Sequence, residues 1–454
     1  MITIGSFVVV IGILILIHEL GHFIVARLAG VGVERFSIGF GPVLIRWRGA
    51  ETEYCLSAIP MGGYVKMMGE ENPLEGGGSV AFDPSKAFAL KPLWARFLIV
   101  FAGPAMNLVL AAVVFAGMLM ILGRPVLPAV IGRVTPESPA AEAGLGTGDR
   151  ITAISGHGVA NWEDLARAVA STEGRPTEVT IERGGRVLTM SLTPRRTTVS
   201  DVFGDKREAW DIGVGPLLPP HVSTVTPGSP AERAAVKTGD VVIAVAGQPV
   251  YTPEELTHAI QKRPGERFEI TVERDGTPRS LTVTAERLKE KTPAGRETEI
   301  GRIGIGIDTK AAVTYVRSDP FTAVGQGLAQ TWTITDLTVK GLWKLVSRQI
   351  DSSNIGGPIQ IATEAGRQAR QGVAALAFFT AIISVNLGVL NLLPVPMLDG
   401  GHLFFFLIEA VLGRPLSVKK REIAQQLGFV LLMLLMVYAL YNDLMRLDAF
   451  RLFK

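Results

Sequence analysis

A short polar group inside an apolar stretch near the amino terminus constrains this chain more than any other feature. Residues 13–26 read I-L-I-L-I-H-E-L-G-H-F-I-V-A. On a helix, His18 and His22 are one turn apart and face the same way, so their ring nitrogens can bind one Zn²⁺. Glu19 would lie beside the metal, where it can take a proton from a metal-bound water during hydrolysis.

The surroundings of this motif favour a metal site inside a membrane. No residue from 1 to 17 is charged, and the apolar character resumes at Phe23 and lasts through Leu28. A membrane-spanning helix needs roughly 20 such residues. Ionisable groups at membrane depth are costly, so three together favour metal binding over a chance match or a packed histidine pair. A signal peptide is disfavoured because the stretch has no basic start.

Composition excludes several classes of protein. The chain has 454 residues, enough for about three domains, and 48% of them are hydrophobic, which is too apolar for an ordinary soluble protein. The net charge of only +3 gives no indication of a nucleic-acid partner. Cys55 is the single cysteine, so an intrachain disulfide and a four-cysteine zinc site are both excluded.

Four apolar segments qualify as membrane spans, and we assign them to residues 1–30, 97–123, 373–402 and 425–445. Basic residues are concentrated in the two short connections, between spans one and two and between spans three and four. By the positive-inside rule these connections are cytoplasmic, whereas the amino terminus and the long segment between spans two and three lie outside.

Residues 31–96 do not resemble a simple loop. Two stretches, starting at Val33 and Glu53, alternate in polarity and are rich in glycine and aromatic residues, which predicts β-hairpins. The second hairpin, residues 55–68, is apolar enough to enter the membrane, so that an edge strand could pair with an extended substrate through Tyr64, Val65 and Lys66. The alternative is a cytoplasmic hairpin that only packs.

The second span opens with F-A-G-P-A-M-N, residues 101–107. Gly103 and Pro104 loosen the helix start, and small residues allow close helix contact. Asn107 is a candidate substrate-binding residue, since it could hydrogen-bond into an active site. It could equally hold two helices together.

The outer segment contains an internal repeat. V-T-P-E-S-P-A at Val134 returns as V-T-P-G-S-P-A at Val225, a shift of 91 residues that also takes Asp149 to Asp240. Two copies of one module are therefore expected, at residues 127–200 and 218–308. Their short strands, glycine–aspartate turn and amphipathic helix resemble tandem bacterial PDZ domains, which bind peptide ends by strand addition. The alternative is two spacers that bind nothing.

Residues 320–370 begin with an amphipathic helical pattern. Asp336, Lys340, Lys344 and Arg348 form a charged stripe opposite an apolar face that includes Trp332 and Trp343. The pattern suits a helix at the outer membrane–water boundary, and an ordinary packed helix fits it almost as well.

The third span ends in N-L-L-P-V-P-M-L-D-G-G-H, residues 391–402. The prolines break the helix and expose backbone groups that a polar site can satisfy. Asp399 follows at the inner edge of the membrane, at the depth expected for His18 and His22, so we expect it to be the third zinc ligand. Asn391 could donate its amide to a developing oxyanion. His402 is either a partner of Asp399 or a polar group at the membrane surface.

Together these motifs resemble the site-2 protease family of intramembrane zinc metalloproteases, and in particular the bacterial regulators of the sigma-E stress pathway. The resemblance covers nearly the whole chain and includes I-G-G-P-I at residues 355–359. It implies a four-helix membrane protein with a membrane-associated β-hairpin region and two inserted α+β PDZ-like domains. It also implies one Zn²⁺ held by His18, His22 and Asp399, with Glu19 and Asn391 as catalytic residues.

The same resemblance implies partners and a location. The expected substrate is a pre-trimmed single-span membrane protein such as an anti-sigma factor, or a leftover signal peptide. Peptide ends or the trimmed substrate would meet the PDZ-like domains. The location would be the bacterial inner membrane, with the PDZ-like domains periplasmic and the active site near the cytoplasm. Two rival functions are a PDZ receptor with a structural metal and an ion transporter, and Glu19 argues against the first.

Overall fold

Long apolar helices alternate with β-rich segments along the chain. The structure is a computed structural model, and it describes residues 2–69, 83–200, 203–291, 297–309, 312–350, 356–414 and 416–446. Its α-helices are α1 (Ile2–Leu28), α2 (Leu93–Ile121), α3 (Pro139–Glu142), α4 (Trp162–Ser171), α5 (Pro230–Arg233), α6 (Pro253–Gln261), α7 (Pro320–Val346), α8 (Pro358–Gln371), α9 (Val373–Asn391), α10 (Asp399–Leu412) and α11 (Val418–Arg446).

The strands fall into one pair near the amino terminus and a larger set between α2 and α7. They are β1 (Val33–Arg48), β2 (Glu53–Met67), β3 (Arg124–Val126), β4 (Ile131–Val134), β5 (Arg150–Ile154), β6 (His157–Gly158), β7 (Thr177–Arg183), β8 (Arg186–Leu192), β9 (Arg195–Ser200), β10 (Lys206–Asp211), β11 (Val214–Pro216), β12 (His221–Val225), β13 (Val241–Val245), β14 (Gln248–Pro249), β15 (Arg267–Arg274), β16 (Thr277–Thr284), β17 (Glu286–Lys291), β18 (Glu297–Arg302), β19 (Ile305–Asp308) and β20 (Thr314–Val316).

Two compact units result. The first comprises residues 1–122 and 317–454, and the second residues 123–316. Among the described residues, four helices are long and apolar enough to cross a membrane, namely α1, α2, α9 and α11. The four predicted spans are thus confirmed as helices. Within the third predicted span, residues 373–402, α9 stops at Asn391 and α10 starts at Asp399, so the helix is interrupted at the prolines that the sequence indicates.

Residues 33–67 form one pair of long, bent antiparallel strands rather than two separate hairpins. Phe36 lies opposite both Val65 and Tyr54, so the first part of β1 is flanked on both sides by parts of β2. Gly39, at φ 89°, lies where the register shifts, and a Cβ there would be 2.7 Å from the Ile59 carbonyl oxygen. The bend therefore requires glycine. Phe40, Leu44, Trp47 and Ile59 project from this sheet as exposed apolar side chains.

The second unit contains the repeated modules, each built around its own core. Ile131, Ile151, Leu165 and Ile181 belong to the first core, and Val222, Val242, Leu256 and Val272 to the second. These four pairs are each related by the shift of 91 residues. Residues that correspond in the sequence repeat therefore occupy corresponding positions in the two cores.

The first module continues past the predicted boundary at residue 200. β11 pairs with β4 through Val214 and Val134, and Ile212 is buried in the first core. The sequence repeat could have indicated this extension, because the same shift of 91 residues takes Ile212-Gly213 to Ile303-Gly304.

Both modules use the same ion pair, in which the carboxylate is buried. Arg183 donates to both carboxylate oxygens of Asp149 at 2.6 Å, and Arg274 does the same for Asp240 at 2.6 and 2.8 Å. Burial by itself raises the pKa of Asp149, but hydrogen bonds from Arg183 and the Gly146 amide outweigh it and hold the pKa below its ordinary value. The pKa of Asp240 is lowered in the same way.

α7 packs within the helical unit through small residues. Ala323, Gly327 and Thr331 are buried, and a Cβ on Gly327 would be 2.7 Å from the Ala112 carbonyl oxygen of α2. Thr338 donates to the Asn386 side chain of α9 at 2.8 Å. The described part of 320–370 therefore includes a packed helix, whose exposed side still carries Trp332 and Trp343.

The I-G-G-P-I segment contacts the last membrane-type helix. Ile355 lies outside the described residues, but Gly357 and Ile359 donate their amides to Asp443 of α11, each at 2.9 Å. The Gln360 amide donates to the same carboxylate at 3.1 Å. Asp443 thus caps the amino terminus of α8 from another helix.

Candidate metal centre

α1 presents two imidazole rings on one buried face. His18 and His22 are 9% and 8% exposed, and their Nε2 atoms lie 3.2 Å apart. The one-turn spacing of the motif produces this approach, since side chains four residues apart share a helix face. An apolar helix would not otherwise bury two such polar rings.

Asp399 completes the cluster from the first residue of α10. Its Oδ2 lies 3.1 Å from His18 Nε2, and its Oδ1 lies 3.6 Å from His22 Nε2. One ligand atom from each of the three residues lies within 4.8 Å of the others. The structure therefore brings together the two motifs that the sequence places near opposite ends of the chain.

The donor set fits a catalytic zinc ion. Two neutral imidazole nitrogens and one carboxylate oxygen are donors that Zn²⁺ binds in proteins, and three protein ligands leave a fourth position open. The three donor atoms lie close enough together for one ion to bind all of them.

Glycines bring α1 and α2 close enough for this arrangement. A Cβ on Gly21 would be 2.4 Å from the Ala102 carbonyl oxygen. A Cβ on Gly103 would be 2.3 Å from His22 Nε2 and 2.9 Å from His18 Cε1. The expectation that Gly103 and Pro104 lie at the helix start is wrong, because α2 begins at Leu93 and both residues are inside it. Gly103 instead leaves the space that the two rings occupy.

The second nitrogen of each histidine has its own partner in α2. His22 Nδ1 lies 2.8 Å from the Ile99 carbonyl oxygen, and His18 Nδ1 lies 3.2 Å from Asn107 Nδ2. Asn107 is fully buried. The side chain faces a candidate metal ligand, which is one of the two arrangements that the sequence left open, and the prediction that Asn107 contacts substrate stays a prediction.

Tight turns place Asp399 at the helix start. A Cβ on Gly400 would be 2.2 Å from the Leu393 carbonyl oxygen, and one on Gly401 would be 2.4 Å from the Val395 carbonyl oxygen. Both glycines are thus required for α10 to begin directly against the proline turn. A Cβ on Gly428 of α11 would likewise lie too close to the Pro396 carbonyl oxygen.

A buried ion pair fastens α10 to α2. Arg96 donates to both carboxylate oxygens of Glu409, at 2.5 and 3.3 Å, and its guanidinium lies over the Phe406 ring, 5.1 Å from the centroid. Sequence reasoning missed this pair, because nothing in the sequence relates a residue before span two to one after span three.

Glu19 follows His18 on α1 and lies close to the sheet. A Cβ on Gly63 of β2 would be 3.1 Å from Glu19 Cγ. Beyond Gly63, Tyr64 accepts a hydrogen bond from Arg35 at 3.2 Å, and Lys66 forms an ion pair with Glu34 at 3.3 Å. The residues predicted to bind substrate, Tyr64, Val65 and Lys66, thus directly follow Gly63, which lies close to Glu19.

Two further predicted residues lie near the turn that carries Asp399. Asn391 is the half-buried last residue of α9. His402 is on α10, where its ring packs edge-on against Phe405 with centroids 6.3 Å apart. Neither observation assigns a chemical role to the residue.

The site has the geometry of a metallopeptidase: two histidines from an H-E-x-x-H helix, a distant carboxylate ligand and a glutamate beside them. Residues 6–435 match the sequence profile of Peptidase family M50. The chain belongs to peptidase family M50, and it is a zinc metallopeptidase with multiple apolar helices.

Relatives match along nearly the full chain. Regulator of sigma-E protease RseP of Escherichia coli is 37% identical over 462 residues, covering 98% of both chains. Protease RseP of Yersinia pestis is 36% identical over 459 residues, covering 98% of this chain and 99% of the relative. A protein of Ralstonia nicotianae named as a zinc metalloprotease is 36% identical over 463 residues, with the same coverage.

Among solved structures, the PDZ domain of the SdrC-like protein from Listeria monocytogenes is similar to part of the chain. It is 16% identical and covers 21% of this chain and 93% of its own, with a TM-score of 0.17.

Proposed function

We propose that this chain is an intramembrane protease that hydrolyses a peptide bond within or near the membrane span of a trimmed single-span protein. The observation that carries the proposal is that Asp399, at the start of α10, joins His18 and His22 of α1, a helix of membrane-spanning character. A metallopeptidase site at that depth has membrane segments as its natural substrates.

The proposed chemistry assigns each polar residue one task. When bound, zinc would polarise the scissile carbonyl and lower the pKa of water. Glu19 takes the proton from the attacking water and gives it to the leaving amine. Asn391, at the end of α9, donates its amide to the oxygen on which negative charge develops.

The substrate must be extended before it can react. A carbonyl within a membrane helix is already hydrogen-bonded along that helix, so hydrolysis requires local unwinding. In our proposal the unwound segment pairs with β2 along Tyr64, Val65 and Lys66. The position of Gly63 beside Glu19 supports this arrangement, because a strand added there would run towards the catalytic glutamate. The exposed apolar side chains of the sheet, Phe40, Leu44, Trp47 and Ile59, support its entry into the membrane.

The repeated modules act outside the membrane as PDZ-like domains, either as a filter for bulky substrates or as a receptor for peptide ends. An open groove of about 450 Å³ in the second module supports the receptor role. It is lined by α6 and by the strands next to residues 303–305, and its lining includes Ile260, Ile303 and Ile305. Deleting residues 134–287 separates the two roles: loosened selectivity on intact substrates indicates a filter, and lost activity on trimmed ones indicates a receptor.

The names of the relatives support a place in sigma-E regulation. The proposed substrate is therefore anti-sigma-factor-like, with leftover signal peptides as a second class. In this proposal the protein lies in the bacterial inner membrane, its modules are periplasmic and its metal site is near the cytoplasm. The basic residues of the two short connections support that orientation.

The test is cleavage of a trimmed single-span substrate by the purified chain in detergent. We expect zinc-dependent cleavage by the wild type and none by Glu19→Gln, with zinc content unchanged in that variant. Full turnover by Glu19→Gln would remove the role of Glu19. Zinc binding without cleavage by the wild type would favour a receptor over a protease.

A further inference from the structure

Asn107 has one unused polar atom in a fully buried position. Its Nδ2 lies 3.2 Å from His18 Nδ1, whereas its Oδ1 is buried and has no hydrogen-bond partner among the described residues. An unpaired buried acceptor costs free energy. An amide turned so that Oδ1 faces His18 Nδ1 gives this oxygen a partner.

His22 shows what a metal-binding tautomer requires. Its Nδ1 faces the Ile99 carbonyl oxygen at 2.8 Å. A carbonyl oxygen only accepts, so the hydrogen of the neutral ring is on Nδ1. Nε2 then keeps its lone pair, which points towards Asp399 and His18.

His18 needs the same tautomer to bind a metal through Nε2. With Nε2 on the metal, Nδ1 carries the hydrogen and requires an acceptor. Asn107 Nδ2 is a donor and cannot serve, but Oδ1 of the same amide can. Turning the amide about its last bond brings Oδ1 to the side of His18 Nδ1.

We propose that Asn107 is a positioning residue that sets the metal-binding tautomer of His18, with its amide oxygen accepting a hydrogen bond from His18 Nδ1. The oxygen and nitrogen of an amide have nearly the same shape, so the oxygen can take this position without displacing neighbours. The inference rests on the proposed function, because it assumes a metal on His18, His22 and Asp399.

The backbone around Asn107 holds it in place for this role. Ser384 of α9 donates to the Asn107 carbonyl oxygen at 2.7 Å. Gly103, one turn earlier on α2, is in contact with both histidine rings. The four-residue spacing therefore puts the space for the rings and the partner of His18 on one helix face.

The test compares Asn107→Leu with Asn107→Asp in the full chain, purified in detergent. Leucine has a similar size but no acceptor, whereas aspartate keeps an acceptor oxygen at the same reach. Zinc affinity, measured by competition with a chelator, is expected to fall about 10- to 100-fold for Asn107→Leu, as for other lost ligand partners. Asn107→Asp is expected to stay within about threefold of the wild type, since carboxylates serve metal-bound histidines well.

Thermal unfolding of the metal-free proteins separates positioning from packing. A positioning role predicts that Asn107→Leu unfolds near the wild-type temperature without zinc and gains less from added zinc. The proposal is overturned if Asn107→Leu binds zinc as tightly as the wild type, or if Asn107→Asp binds as weakly as Asn107→Leu. If His18→Ala and Asp399→Ala bind zinc like the wild type, the proposed function itself fails, which is a different result.

Discussion

Arg96 and Glu409 form a two-point ion pair that ties the helix carrying Asp399 to the helix that packs against His18 and His22. The pair is mostly buried, with side-chain exposures of 13% and 17%. Asp399 stands at the start of α10 and Glu409 in the same helix. The metal centre therefore depends on a contact that is not itself part of the ligand set.

We expect Arg96→Met to destabilise the protein by about 3–5 kcal/mol, because it leaves Glu409 as an uncompensated buried charge. Zinc affinity should fall as well, since α10 is no longer held to α2. Thermal unfolding and chelator competition in detergent measure the two effects.

The matched control removes both charges. Arg96→Met combined with Glu409→Leu should regain much of the lost stability, because an apolar pair of similar volume often replaces a buried ion pair at little cost. A double variant as unstable as Arg96→Met alone would contradict this account.

Gly103→Ala should weaken zinc binding about 10- to 100-fold, because overpacking costs about 1–3 kcal/mol. The new Cβ would lie 2.3 Å from His22 Nε2, so the ring must move away from its position. Gly117→Ala is the control, since a Cβ at that position of the same helix has no atom within 4 Å. Equal zinc affinity in the two variants would show that the rings do not need the space at Gly103.

The site could be predicted from the sequence where a motif carries its own chemistry. The one-turn spacing of His18 and His22 and the proline break before Asp399 are local signals, and the structure brings these three residues together. The four apolar helices were predictable for the same reason, since length and composition are properties of a segment. The strands of residues 33–67 were predictable as strands, but their double pairing at Phe36 was not.

Contacts between distant segments explain what the sequence did not indicate. The partner of His22 is the backbone carbonyl of Ile99, which every residue type possesses. The role of Asn107 depends on how α1 and α2 pack, so composition alone left two alternatives open. Likewise, Gly357 is constrained by Asp443 of α11: a Cβ at Gly357 would lie 2.6 Å from Asp443 Oδ2.

The first module should lose stability in acid through Asp149. Its pKa lies below the ordinary value of 3.8 in the folded state, so its stabilising contribution is complete above that value and is lost as pH falls through the lower folded pKa. Hydrogen exchange of the core strands, at Ile151 and Ile181, should show protection decreasing below about pH 3.8.

Asp149→Asn isolates that contribution. The variant should be less protected than the wild type at neutral pH and should show a weaker dependence on acid. Glu182→Gln is the control. Glu182 is exposed on β7, so this substitution removes a carboxylate elsewhere in the module. The same acid dependence in Asp149→Asn as in the wild type would assign the effect to another group.

Asp443 should stabilise α8 although it belongs to α11. It accepts three amide hydrogen bonds, from Gly357, Ile359 and Gln360, and a hydrogen bond to a charged group contributes about 1.5–3 kcal/mol. We expect Asp443→Ala to cost at least about 2 kcal/mol and to speed hydrogen exchange at Ile359 and Gln360. Asp443→Asn keeps one acceptor oxygen and should lose less. Unchanged exchange at both amides in Asp443→Ala would mean that α8 is held by its packing alone.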